Sequence, residues 1–377
     1  MDFRRDREHA AFHDRIADFV DEIVIPQAAT IDRTDEFPRE LVDEIARRGW
    51  MGMPFPESIG GAGLDYHAYA DGIAELSRGS GGLGTIVAAH TSLAAAMVDQ
   101  FGDESQRQQY LSPMVAGQDI GAFALSEADA GSDVGSMSTR AASIDGGYRI
   151  TGQKLWTSNG SVADTVIVFA RTDPASGTRG ISSFVLRPKE DDGIEVLRTE
   201  EKLGDHGCPT AAIGLDAVDV PVDRRLGDEN TGFSQALSTL NGGRITIAAR
   251  SVGIAQGALD ATLAHIGSSA RYSPSQTTEH RLATMATKLE SARYLMHAAA
   301  AQRMRGESII QSAAMAKLHA STVSREVAGA AIEIVGPQGL CDDSAFGRSY
   351  RDAKLNEIYE GTSEILKNTI ASQLLET

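Results

Sequence analysis

The segment Arg351-Asp352-Ala353-Lys354-Leu355-Asn356-Glu357-Ile358-Tyr359-Glu360-Gly361-Thr362-Ser363-Glu364-Ile365 carries a carboxylate suited to proton chemistry. Ile358 and Tyr359 give Glu360 apolar neighbours, Gly361 breaks the local geometry, and Thr362 can N-cap the helix that holds Ile365, Leu366 and Ile370. A carboxylate at such a junction fits a general base with a raised pKa; the alternative is an acid on a solvated loop. Three other clusters carry polar groups. In Phe123-Ala124-Leu125-Ser126-Glu127-Ala128-Asp129-Ala130-Gly131-Ser132-Asp133, Gly131 would admit backbone N–H groups to a phosphate. Ser126 and Ser132 could donate to a ring or carbonyl, against the reading of an ordinary polar loop. In Gly152-Gln153-Lys154-Leu155-Trp156-Thr157-Ser158-Asn159-Gly160, Trp156 could wall a flat aromatic cofactor with Ser158 at its edge, or simply pack in a small core. In Leu237-Ser238-Thr239-Leu240-Asn241-Gly242-Gly243-Arg244-Ile245, a helix is expected to open. Arg244 would then lie where the helix dipole disfavours a cation, which points to an anionic partner; a solvated arginine is the alternative.

The elements that must position these groups fall into three stretches. Residues 1–118 read as helices: Phe12, Ile16, Phe19, Val20 and Ile23 recur at helical spacing, Pro26 is expected to end that helix, and Gly49 stands where a C-cap belongs. Residues 119–228 hold short β-branched or aromatic runs such as Thr165-Val166-Ile167-Val168-Phe169 and Ser183-Phe184-Val185-Leu186. They predict a compact β domain, sheet-on-sheet or barrel-like. Residues 229–377 return to the 3.6-residue period in Ala-rich text, the mark of a close-packed helical bundle. No βαβ alternation supports a Rossmann domain. Gly60-Gly61-Ala62-Gly63 and Gly79-Ser80-Gly81-Gly82 do not follow strands and read as turns.

Composition excludes several functions. With 35 basic and 52 acidic residues the net charge is −17, a field that repels nucleic acid. No long unbroken apolar run predicts a membrane span, and the charged first ten residues do not resemble a signal peptide. Two cysteines, Cys208 and Cys341, exclude a disulfide framework and a Cys-rich metal site, and suit a reducing, cytoplasmic location.

Taken together and in order, FALSEADAGSDV (123–134), GQKLWTSNG (152–160), TLNGGRITIAARSVGIAQGALD (239–260) and RDAKLNEIYEGTSEI (351–365) resemble the acyl-CoA dehydrogenase family, and its short-chain or butyryl branch most closely. The resemblance spans essentially the whole chain. It implies a helical domain, a β domain and a C-terminal four-helix bundle assembled as a homotetramer, with FAD between β domain and bundle and part of its site supplied by a neighbouring subunit. It implies α,β-dehydrogenation of a short- or medium-chain acyl thioester: Glu360 removes the α proton while the β hydrogen leaves as hydride to flavin N5. Electron-transferring flavoprotein is the implied acceptor. Phe123, Leu125, Ser126, Gly131, Ser132, Trp156, Ser158, Glu333, Gly336, Thr362 and Glu364 fall at cofactor positions. Ser132, Asn241, Arg244 and Gly361 fall at substrate positions.

Three segments depart from the family pattern. Ser268-Ser269-Ala270-Arg271-Tyr272-Ser273-Pro274 replaces an Arg-x-x-Phe-Gly segment, with Arg271 as the candidate substitute. Glu333 stands in place of a glutamine before Gly336, and Ala128-Asp129 replaces Pro-Gly. Alternatives to the CoA reading are an acyl group carried on a carrier protein, and a helical interaction protein that has lost productive FAD binding.

Overall fold

The computed structural model describes residues 7–268 and 275–375. The N-terminal part forms α1 (Arg7–Phe19), α2 (Ile25–Thr34), α3 (Arg39–Arg47), α4 (Tyr66–Gly79), α5 (Gly81–Ala88), α6 (Ala96–Phe101), α7 (Glu104–Gln106) and α8 (Ser112–Val115). Phe12, Ile16, Phe19 and Val20 are buried, as their spacing requires. Pro26 does not end the first helix. A five-residue π turn, Val20–Val24, carries the chain from α1 into α2, and Pro26 falls in the first turn of α2, where its missing N–H is not needed. Gly49 takes φ +75° just after α3, as a helix-ending glycine does. The Gly79–Gly82 cluster is a junction between helices more than an open turn: Ser80 alone is extended, and its hydroxyl accepts the Leu83 N–H at 3.3 Å.

Gly81–Phe101 is a continuous helical run long and apolar enough, by length and composition alone, to cross a membrane. Thr85, His90, Thr91 and Ser92 hide it from a search for unbroken apolar text, and the run is buried as the core helix of the domain. His90 shows how its polar members are accommodated. Its Nδ1 accepts the Gly121 N–H at 2.9 Å and its Nε2 donates to the Met114 carbonyl at 3.1 Å. Burial lowers its pKa to about 4, so the ring is neutral.

The β domain comprises β1 (Gly121–Ala124), β2 (Arg140–Ile144), β3 (Gly147–Ser158), β4 (Thr165–Arg171), β5 (Ile181–Leu186), β6 (Ile194–Thr199), β7 (Thr210–Pro221) and β8 (Arg225–Leu226). They hydrogen-bond along one path, β6-β7-β3-β2-β4-β5-β8, with β1 parallel beside β4. Successive residues of β4 face opposite sides. Ile167 and Phe169 pack with Met97 and Met114 of the helical domain, while Val166 and Val168 pack with Ile150, Phe184 and Val218. A strand buried on both faces explains the unbroken apolar run.

Lys154 on β3 is wholly buried and pairs with Glu127 at 2.7 Å; its ammonium also donates to the Leu125 carbonyl at 3.1 Å. Glu127 accepts the backbone N–H groups of Ser138 (2.6 Å) and Thr139 (3.1 Å). Burial opposes ionisation of Glu127, but Lys154 and these donors outweigh it and hold the carboxyl at about 2. The pair thus fastens the 125–139 loop to β3. Lys154→Met leaves a buried carboxylate without its cation and is expected to cost about 3–5 kcal/mol. Thermal unfolding measures this, and an unchanged melting temperature would show that the pair does not hold the loop.

The C-terminal part contains α9 (Gly232–Ser268), α10 (Gln276–Met304), α11 (Ile310–Val335), α12 (Ala345–Leu355) and α13 (Ser363–Leu375). Helix α9 runs through the centre. A Cβ on its Gly253 would lie 2.0 Å from the Ala74 carbonyl, so small residues set how closely α4 and α9 approach. The expected helix opening at 237–245 is wrong. Helix α9 starts at Gly232, and Arg244 lies in its interior, so the dipole argument for its partner does not apply.

Candidate active site

Glu360 lies in the turn between α12 and α13 with φ +51°, followed by Gly361 at φ +103°. A left-handed backbone costs a side-chain-bearing residue about 1–2 kcal/mol, so the surroundings must hold it. The Thr362 hydroxyl accepts the Ile365 N–H at 3.3 Å, as the sequence suggested, and the Ser363 N–H donates to the Glu357 carbonyl at 3.1 Å. Lys317 Nζ on α11 donates to the Gly361 carbonyl at 2.6 Å. Beneath the turn, the wholly buried Arg250 donates through Nε to the Gly81 carbonyl at 3.2 Å and bonds the side chains of Asp205 and Asn356. Its guanidinium stands 5.7 Å from the centre of the Tyr359 ring, and the Tyr359 hydroxyl donates to Asn356 Oδ1 at 2.9 Å. The residue before Glu360 is therefore clamped.

The glutamate as a whole is partly exposed, but its Oε2 is sealed from solvent and has no hydrogen-bond partner among the described residues. Burial raises the pKa to about 7, against the pull of Lys317, Arg244 and Arg250, which favour the anion. The carboxyl rests on α9 where Gly243 leaves space: a Cβ there would meet Oε2 at 2.3 Å and Leu93 at 3.0 Å. Arg244, 6% exposed, holds Asn241 Oδ1 at 2.8 Å through Nη1 and lies against Gly361, while its Nε is buried without a partner among the described residues. A buried acceptor and a buried donor left unpaired beside one another are costly in an empty protein and are what an incoming polar ligand would satisfy.

The β-domain candidates come from β3 and the loop it carries. The pairing of β3 with β7 slips between Lys154 and Thr157, and Trp156 sits in that slip at φ +58°. The indole is 60% exposed, which removes the packed-core alternative. The Leu155 N–H donates to the Ser126 carbonyl at 2.9 Å, so the Ser126 loop lies on β3 next to Trp156. Asn159 Nδ2 donates to the Ile86 and Gly121 carbonyls at 3.0 and 3.2 Å, fixing the strand end that bears Ser158. Ser126 and Ser158 are half-buried; Gly131 and Ser132 are exposed, and nothing lies within 4 Å of where a Cβ on Gly131 would stand. Leu125 is buried, and Phe123 meets Phe169 edge-on with centroids 4.9 Å apart. Thr362 and Glu364 line an open cavity of about 390 Å³ together with Lys367 and with Arg325 and Lys354, both of which pair with Glu357 at its wall. An exposed indole, half-buried hydroxyls and open space over a glycine fit a flat cofactor with phosphates.

Two candidates stand apart. Glu333 lies sixteen residues beyond Lys317 on α11, about 24 Å along the helix, and pairs with Arg281 at 3.1 Å. Gly336 follows the same helix end at φ +79°. One chain therefore does not bring Glu333 and Gly336 to Glu360. The pairing with Arg281 also offsets the repulsion that a bare carboxylate would give a phosphate. Arg271 lies outside the described residues. No group of three His, Cys, Asp or Glu suited to a metal occurs among the described residues.

Lys317, Gly243 and the Arg250–Asp205–Asn356 set were not singled out by sequence. A signal for Lys317 was present: it is one of seven lysines, set in the alanine stripe Ala313, Ala316, Ala320 that faces the core.

Comparison with known proteins agrees with this architecture. Models of the N-terminal, middle and C-terminal domains of acyl-CoA dehydrogenase match residues 6–118, 122–218 and 230–375. The chain belongs to the acyl-CoA dehydrogenase family of flavoprotein oxidoreductases. It is similar to the short-chain specific acyl-CoA dehydrogenase of Clostridium acetobutylicum, 40% identical over 378 residues that cover 99% of this chain and 100% of that one. It is 36% identical over 350 residues to a subunit of the caffeyl-CoA reductase-Etf complex of Acetobacterium woodii, covering 92% of each. The solved butyryl-CoA dehydrogenase of Megasphaera elsdenii superposes with a TM-score of 0.96 at 34% identity, covering 100% of both chains.

Proposed function

We propose that this enzyme removes the α and β hydrogens of a short- or medium-chain acyl-CoA with FAD as cofactor, and that Glu360 is the base that takes the α proton. The observation that carries this reading is the Glu360 carboxyl, buried at Oε2, without a hydrogen-bond partner there among the described residues, raised to about 7 and placed near Arg244, which bonds Asn241. A pKa near the working pH suits a group that must be ionised to accept a proton and must hold it afterwards. Phe123, Leu125, Ser126, Gly131, Ser132, Trp156, Ser158, Thr362 and Glu364 would hold the cofactor, with Glu333 and Gly336 serving the site of a neighbouring copy in a homotetramer. Bound FAD supplies the acceptor for the β hydrogen. Ser132, Asn241, Arg244 and Gly361 would line the thioester. The Glu360 N–H, turned by the left-handed backbone, would donate to the thioester carbonyl and stabilise charge developing there. The likeness to a subunit of an Etf complex supports electron-transferring flavoprotein as the partner that takes the electrons.

Anaerobic titration of the yellow protein with straight-chain acyl-CoAs is expected to bleach the flavin band with short chains. Bleaching only by an acyl-carrier-protein thioester would move the substrate to that carrier. A colourless chain that cannot be loaded with FAD would favour an interaction protein. In steady state, kcat/KM is expected to rise along a one-proton limb centred near about 7, because Glu360 must be ionised. A limb near the ordinary carboxylate value would place the base in solvent.

A further inference from the structure

We infer that Lys317 is a positioning residue for the proton-abstraction step: its ammonium holds the Glu360–Gly361 turn in its left-handed form and supplies the positive charge that favours the basic state of Glu360. The inference rests on Glu360 being the base. Lys317 is completely buried, and a lone ammonium costs several kcal/mol to desolvate, so its position in an alanine stripe is not explained by packing. No carboxylate lies within salt-bridge distance of it among the described residues; its one hydrogen bond goes to the Gly361 carbonyl at 2.6 Å. A methionine of similar length would fill the same space without that cost.

The groups facing the turn set the direction of the effect. From α4 come Tyr66 and Tyr69, whose hydroxyls burial keeps neutral, from α9 Arg244 and Arg250, from α11 Lys317, and from the turn and its flanks Glu357, Tyr359 and Glu364. Burial lowers the Lys317 pKa to about 8, with Glu360 pulling it up and Arg244 pushing it down. Arg250 is committed to Asp205 and Asn356, and Arg244 bonds Asn241 through Nη1 while its Nε has no partner among the described residues. Among the described residues Lys317 is the cation that bonds the backbone of this turn, at the carbonyl of the residue after Glu360. That carbonyl belongs to Gly361, whose φ of +103° must persist if Glu360 is to keep its own +51°.

The test uses Lys317→Met, which removes charge and donor, and Lys317→Gln, which removes charge and keeps a donor, both as FAD-loaded enzyme with Glu360→Gln alongside. In both lysine variants the acid limb of kcat/KM is expected to move alkaline by about one unit, as loss of a nearby cation requires. Activity near pH 7 then falls about fivefold and recovers by about pH 9. Lys317→Met is expected to lose a further ~10-fold in kcat at every pH, because its turn is no longer tethered, while KM changes little. A limb that coincides with wild type in both variants overturns the assignment. Failure of both variants to bind flavin also overturns it, in favour of a purely structural lysine. If Glu360→Gln keeps wild-type turnover, the base reading itself has failed; if it is dead while the lysine variants match wild type, only the present inference has.

Discussion

Glu360→Gln is expected to fold, bind FAD and keep its yellow colour, yet lose dehydrogenation by about two to four orders of magnitude, the usual worth of a positioned general base. The substitution changes one atom in shape and leaves the surrounding clamp untouched: Arg250 with Asn356, Thr362 over Ile365, and Lys317 on Gly361 contact the backbone or neighbouring side chains, not the carboxyl. The amide cannot accept a proton at any working pH. The pH dependence near about 7 should therefore disappear with the activity. Anaerobic mixing with acyl-CoA, followed by flavin absorbance, measures the effect. Turnover within a few-fold of wild type would move the base to another residue.

Gly243→Ala is expected to cut turnover about 100-fold without unfolding the protein. The new Cβ would stand 2.3 Å from Glu360 Oε2 and 3.0 Å from Leu93, so the end of the glutamate must shift. That end belongs to a flexible side chain, and alanine favours a helix interior over glycine by roughly 1 kcal/mol, so stability is expected to be unchanged or higher. A misplacement of about 1 Å at a reacting group costs on the order of 100-fold in rate. Loss of activity with retained melting temperature is the signature. Unchanged activity would mean that the carboxyl does not work from its place against α9.

Much of this was legible from residue order. The three-part arrangement follows from where the apolar period changes, because helix and strand faces bury with periods of 3.6 and 2. Glu360 stood out as a candidate because of its apolar neighbours and Gly361, but the local text left an acid on a solvated loop open, and the family resemblance made the choice. What was misread shares one cause: local text does not show what packs against it. The segment around Asn241-Gly242-Gly243 reads as the opening of a helix, but it lies inside α9, where those glycines make room for Arg303 and Glu360. Pro26 looks like a terminator, but a π turn absorbs it. Lys317 was not singled out, because nothing within the helix reports a carbonyl from a turn forty-four residues on. Glu333 and Gly336 lie at the far end of α11, about 24 Å along the helix from Lys317, a separation that residue order does not display.

The most direct test of the account follows the α hydrogen itself. An acyl-CoA analogue with sulfur at the β position has no β hydrogen to give up, so any exchange at its α carbon reports the base alone. In heavy water, wild-type enzyme is expected to wash deuterium into that α position, faster as pH rises through about 7, while Glu360→Gln leaves it unlabelled. Equal labelling by the two proteins would contradict the assignment of Glu360 as the group that takes the proton.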